Sequence, residues 1–140
     1  MEEKKVHLRV VTPQEVKVDQ EADMVIVRSL NGDMGVLPGH EPTSAVLGDG
    51  ILRIIDGKAE QKIAVFGGLA EVQNDAVNIL TKFAEWPEDI DRARAENDRK
   101  KAEMLLQERA DDLKIQSYQV LLRRALVRIE VSIYQEDEEE

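Results

Sequence analysis

The sequence predicts an α+β protein in two parts, a β-sandwich or flattened barrel followed by an antiparallel two-helix hairpin. Three observations predict it. Up to about residue 82, short runs rich in β-branched and aliphatic residues alternate with turn residues. After Trp86-Pro87 there is neither glycine nor proline, and good helix formers dominate through Tyr134. The apolar period changes at that boundary from two to about 3.6.

In chain order, residues 6–11, 24–27, 35–37, 51–55, 62–66, 69–72 and 76–80 are the expected strands. Asn31-Gly32-Asp33, Pro38-Gly39-His40, Gly48-Asp49-Gly50, Asp56-Gly57 and Asn74-Asp75 separate them as expected turns, because these residue types take backbone conformations that bulkier ones resist. Asp56-Gly57 marks the clearest hairpin. Pro87 suits the first turn of a helix, where its missing amide proton costs nothing, and Glu88, Asp89 and Asp91 complement a positive helix start, so a helix is expected from there. A second apolar series, Ile115, Tyr118, Leu122, Ala125 or Leu126, Ile129 and Ile133, predicts a second helix, with Asp111 or Asp112 as its cap.

A turn near Arg109 to Asp112 places Arg94 opposite the region of Leu126, so Arg94, Arg124 and Arg128 are expected at one end of the hairpin. Like charges gathered in this way repel unless an anion or carboxylate sits among them, and Asp91, close before Arg94, supplies only part of the compensation. The pattern invites a phosphate. Between Asp91 and Glu103 the only apolar residues are Ala93, Ala95 and Ala102, which bury far less area than leucine, so packing alone gives the first helix limited reason to stay docked. Weak docking beside a charged end is the makeup of a two-state element. The same charges also suit a solvated, salt-bridged helix pair.

With 140 residues the chain holds one domain or a small domain plus an appendage. It has no cysteine and only His7 and His40, which leaves no thiol nucleophile and little material for a metal centre, and no convergent acid–base pair points to an enzyme. A net charge of −10 argues against nucleic-acid binding. Met1-Glu2-Glu3-Lys4-Lys5 lacks the basic-then-apolar order of a signal peptide and no apolar run is long enough to span a bilayer, which predicts a soluble, intracellular protein. Residues 136–140, all acidic, are expected to form a disordered solvating tail, leaving 1–85 as the sandwich and 86–135 as the hairpin.

Gly32-Asp33-Met34-Gly35-Val36-Leu37-Pro38-Gly39-His40-Glu41-Pro42, Phe66-Gly67-Gly68-Leu69-Ala70-Glu71-Val72 and Ile90-Asp91-Arg92-Ala93-Arg94-Ala95 stand in an order and spacing that resemble the epsilon subunit of the bacterial rotary ATP synthase. The resemblance covers all but the acidic tail. It implies a ten-stranded β-sandwich and a helical hairpin in a non-catalytic rotor-stalk subunit. The implied partners are the gamma subunit, the c-subunit ring and, with the helices extended, the alpha and beta subunits. Membrane association is then through the complex only, peripheral to the cytoplasmic face of the bacterial cell membrane. By the same resemblance His40 matches a position near the gamma contact, and Asp33 an acidic loop position facing the c ring.

Some of these subunits bind ATP as a regulatory ligand on the folded hairpin. The resemblance carries that role to Glu85, Ile90, Asp91, Arg94, Ala95, Lys101, Arg124 and Arg128. Whether Mg2+ accompanies the nucleotide stays open at this point, and no cofactor is required. Lys101 stands where better-studied ATP binders carry arginine; lysine keeps the charge and loses the planar fork that grips phosphate with two bonds, so weaker binding is expected. Nucleotide would hold the hairpin compact, and its loss would let the helices extend and block rotation in the hydrolysis direction. A nucleotide-independent adaptor is the alternative role for the hairpin.

Overall fold

The computed structural model describes residues 4–108 and 114–139, and side chains as far as Tyr134. The chain divides into two units, Met1–Ala84 and Glu85–Glu140.

The first unit is built from β1 (Val6–Val11), β2 (Val16–Ala22), β3 (Met24–Ser29), β4 (Gly32–Val36), β5 (Thr43–Asp56), β6 (Ala59–Gln73) and β7 (Ala76–Leu80), and a two-residue strand, β8 (Ala84–Glu85), stands at the boundary. The strands lie in the order β2-β1-β7-β6-β5-β3-β4. Only β1 and β7 among these neighbours run parallel. Alternation fixes the core: Val6, Leu8 and Val10 are buried while His7 and Arg9 between them face solvent. Val25, Val27, Leu52, Ile54, Ile63, Val77 and Ile79 are among the residues that extend it, each such buried side chain contributing about 1.5–3 kcal/mol. β1 also meets β3, and β2 meets β5, although neither pair is hydrogen-bonded, so the sheet folds over on itself as a sandwich.

The described strands number eight where the resemblance implies ten, because β5 and β6 are each continuous through a glycine bend. Gly48-Asp49-Gly50, expected as a turn, lies inside β5: its flanks pair with β6 as Leu47 with Gly68 and Ile51 with Ala64, and Asp49 itself pairs with Phe66. Opposite, Gly67 and Gly68 adopt φ of 74° and 119°. A Cβ on Gly68 would stand 2.2 Å from the Leu80 carbonyl oxygen, so both the dihedral and the space require glycine. Each long strand thus serves two stretches of sheet.

The hairpin at Asp56-Gly57 forms as expected, with Asp56 paired to Ala59 and Gly57 at φ 62°. Asn74 and Asp75 join β6 to β7 as a two-residue loop, both at positive φ. β2 has no counterpart among the expected strands. Only Val18 and Ala22 of its seven residues are buried, and it lies at the edge of the order, where charged side chains on the open face suit a strand with an unpaired side.

The second unit starts with a 3-10 turn, Pro87–Asp89, rather than with the helix expected from Pro87. Ile90 is extended at φ −96° and ψ 127°, which ends the turn, and α1 (Arg92–Glu108) begins afresh after Asp91. α2 (Ile115–Glu139) packs against α1, and the 3-10 turn packs on α2. Ala95 and Ala102, two turns apart, are the buried residues of α1, so their small size sets a close helix approach. On α2, Ala125 and Val131 are fully buried, whereas Leu126 and Ile133 of the expected stripe are 48% and 40% exposed. Ala125, not Leu126, takes the inward position. The expected hairpin turn near residues 109–112 and the cap from Asp111 or Asp112 lie outside the described residues.

α2 continues through Glu139, where a disordered tail was expected from residue 136. Extending an existing helix carries no nucleation cost and glutamate is a good helix former, which offsets part of the repulsion. Among the described residues no helix is long and apolar enough to cross a membrane.

Candidate functional site

Two aspartates shape the entrance to α1. The Asp89 carboxylate accepts a hydrogen bond from the Trp86 amide at 3.0 Å, and the Asp89 amide donates to the Trp86 carbonyl at 3.0 Å, closing the 3-10 turn. Asp91 then caps α1: its Oδ1 accepts from the Arg94 amide at 3.1 Å, and its carbonyl accepts from the Ala95 amide at 3.0 Å. This leaves the Arg94 side chain projecting from the first turn, exposed and with no ion pair among the described residues.

From α2, Arg128 reaches Glu85 in a two-pronged pair, Nε to Oε1 at 3.0 Å and Nη2 to Oε2 at 3.0 Å. Between these groups lies a cavity of about 280 Å³, lined by Glu85, Asp89, Asp91, Arg94, Ala95, Asp98 and Arg128. That size is close to the lower end of small-molecule pockets, roughly 300 Å³.

The fold therefore brings together Glu85, Asp91, Arg94, Ala95 and Arg128 of the eight expected nucleotide-site residues. Ile90 sits at the joint between the 3-10 turn and α1, half-buried and outside the lining. Lys101 is exposed on α1, two turns beyond Arg94, and Arg124 is half-buried on α2, one turn before Arg128; neither lines the cavity. The lining also includes Asp89 and Asp98, which sequence reasoning did not assign to the site. Asp98 had a signal: it falls one turn after Arg94 and two after Asp91, on the face that carries the motif. The expected cluster of uncompensated cations is corrected accordingly. Glu85 satisfies Arg128 across 43 residues of sequence, and the lining holds four carboxylates to two guanidiniums.

In the first unit, Asp33 is exposed on β4 and pairs with Arg28 opposite it on β3, Nη1 to Oδ1 at 3.2 Å. His40 follows a turn closed by its own amide to the Leu37 carbonyl at 3.1 Å, and its Nδ1 lies 2.7 Å from the Glu41 carbonyl oxygen. The neighbouring Gly39 amide donates to Asp75 at 2.7 Å, which ties this loop to the β6–β7 turn. The outer face of the sheet carries an apolar row in direct register: Val11 opposite Leu80, Leu80 opposite Leu69, Leu69 opposite Val46, with Leu30 bonded to Val46 through its amide. Leu30, Val46 and Leu80 are 70%, 56% and 53% exposed, an arrangement suited to a protein partner. Among the described residues no group of three or more acidic or histidine side chains is placed to hold a metal ion.

Two family models match the sequence, the ATP synthase delta/epsilon chain beta-sandwich domain over residues 5–87 and the long alpha-helix domain of the same chain over residues 88–132. The ATP synthase epsilon chain of Bacillus velezensis is 41% identical over 129 residues, which is 92% of this chain and 98% of that protein. The epsilon chain of Caldicellulosiruptor saccharolyticus is 37% identical over 87% of this chain and 89% of its own. Among solved structures, a chain of the Euglena gracilis mitochondrial ATP synthase, imaged as OSCP, F1 and c-ring, superposes with a TM-score of 0.79 at 25% identity, covering 92% of this chain and 81% of that one. A chain from the central stalk and c-ring of the Tetrahymena thermophila enzyme shares the fold at TM-score 0.59 and 11% identity, covering 94% and 99%.

Proposed function

The chain belongs to the ATP synthase delta/epsilon family as a non-catalytic subunit of the central stalk, and from that premise we propose that its helical unit is a nucleotide-sensitive switch. The observation that carries this reading is the cavity between the start of α1 and Arg128 of α2. Its two halves are far apart in sequence and meet only while the helices lie antiparallel. A ligand held by Arg94 and Arg128 together therefore stabilises the compact form and has no complete site in the extended one, which is the differential affinity a ligand needs to shift a conformational equilibrium.

The sandwich supplies the anchoring surface. The exposed row from Leu30 to Leu80 is an apolar surface for the gamma subunit, and Asp33, on the β3–β4 hairpin, is an acidic group offered to the c ring. The subunit is thus peripheral to the membrane, held there through the complex on the cytoplasmic face of the bacterial cell membrane. When nucleotide leaves, α1 and α2 extend toward the alpha and beta subunits and oppose rotation in the hydrolysis direction. ATP synthesis driven by ion flow proceeds with the hairpin compact.

Calorimetric titration of the isolated chain with ATP tests the switch. A saturable heat accompanied by compaction in small-angle scattering is expected. Absence of both at millimolar ATP would remove nucleotide sensing, leave the family assignment untouched, and favour the adaptor role.

A further inference from the structure

The cavity of the helical unit has a charge imbalance that the nucleotide reading does not explain. Four carboxylates and two guanidiniums line it. Three of the carboxylates have structural partners: Glu85 holds Arg128, Asp89 closes the 3-10 turn, and Asp91 caps α1. Asp98 is different. It stands on α1 one turn after Arg94, half-buried in the cavity wall, and carries no hydrogen bond or ion pair among the described residues. Arginine followed by aspartate at this spacing is the weaker orientation for a helical ion pair, and the two do not join.

A polyanion bound to Arg94 and Arg128 comes under the field of Asp98. Metal-free ATP carries roughly four negative charges at neutral pH and its magnesium complex roughly two, so a fixed negative charge nearby penalises the first about twice as strongly. We infer that Asp98 is a specificity-determining residue that makes this site favour the magnesium complex of ATP over the metal-free polyanion. The inference rests on the nucleotide reading above and adds to it the charge form of the ligand. The selection works through the field of the carboxylate, and Asp98 need not touch the metal.

The test is calorimetry on the full chain with ATP in excess EDTA and with ATP in excess magnesium, at about 0.1 M salt, where screening between exposed groups reaches about 10 Å. The wild type should bind the magnesium complex several-fold more tightly. Asp98→Asn should narrow that preference by about threefold to tenfold, chiefly by strengthening binding of metal-free ATP, and Asp98→Glu should restore it. Circular dichroism establishes that each variant is folded. Should Asp98→Asn fail to fold, Asp98→Ser supplies the neutral side chain for the same comparison. Equal affinities for the two forms in the wild type, or a preference unmoved by a folded neutral variant, overturn the proposal while leaving nucleotide binding intact. No binding of either form removes the nucleotide reading itself, and the proposal with it.

Discussion

Arg128 of α2 grips both carboxylate oxygens of Glu85, the residue that opens the helical unit, and the two side chains are only 27% and 24% exposed. Partial burial and fork geometry make this pair stronger than an ordinary surface ion pair, whose worth is about 0–1 kcal/mol. Glu85→Gln should lower the stability of the helical unit by about 1–2 kcal/mol, measured by urea unfolding followed by circular dichroism. A double-mutant cycle with Arg128→Gln should return a coupling of about 1 kcal/mol. A coupling indistinguishable from zero would mean that the fork is incidental.

Asp91 has a structural duty that any test of its ligand role must separate. Its carboxylate satisfies the Arg94 amide at the start of α1. Asp91→Ala should cost about 1 kcal/mol of stability, while Asp91→Asn, which also accepts that bond, should cost a few tenths. Thermal melts of the two variants check this, and equal losses would show that charge, not capping, is what matters.

Gly68→Ala should be among the most damaging single changes in the sandwich. The added methyl would meet the Leu80 carbonyl oxygen at 2.2 Å, on a residue already at φ 119°. A loss of about 3 kcal/mol or more is expected in urea unfolding, or no soluble protein at all. Gly57→Ala, at φ 62° with nothing near its Cβ, is the control and should cost about 1 kcal/mol.

Arg94→Ala should abolish the calorimetric response to ATP, since Arg94 is the cavity cation without an ion pair among the described residues. Lys101→Arg should change the affinity by no more than about twofold, because Lys101 lies outside the lining and a planar fork there has no phosphate within the cavity to grip. A tenfold gain in that variant would place the phosphates further along α1 than this geometry allows.

The sequence by itself determined what depends on neighbours along the chain. The change of period after Trp86-Pro87, the positive-φ loop at Asn74-Asp75, the hairpin at Asp56-Gly57 and the motif from Ile90 to Ala95 are all legible because local sterics and apolar spacing act over a few residues. Tertiary structure decided what depends on partners far away. Gly48-Asp49-Gly50 reads as a turn in isolation, yet pairing of Leu47 with Gly68, Asp49 with Phe66 and Ile51 with Ala64 holds it in one strand. Val16–Ala22 buries too little to announce itself and becomes a strand because β1 offers it an edge. Arg128 reads as part of an uncompensated positive cluster until the fold places Glu85 against it. Charge balance in a cavity is a sum over everything within a few ångströms, and only the folded chain fixes which residues enter that sum.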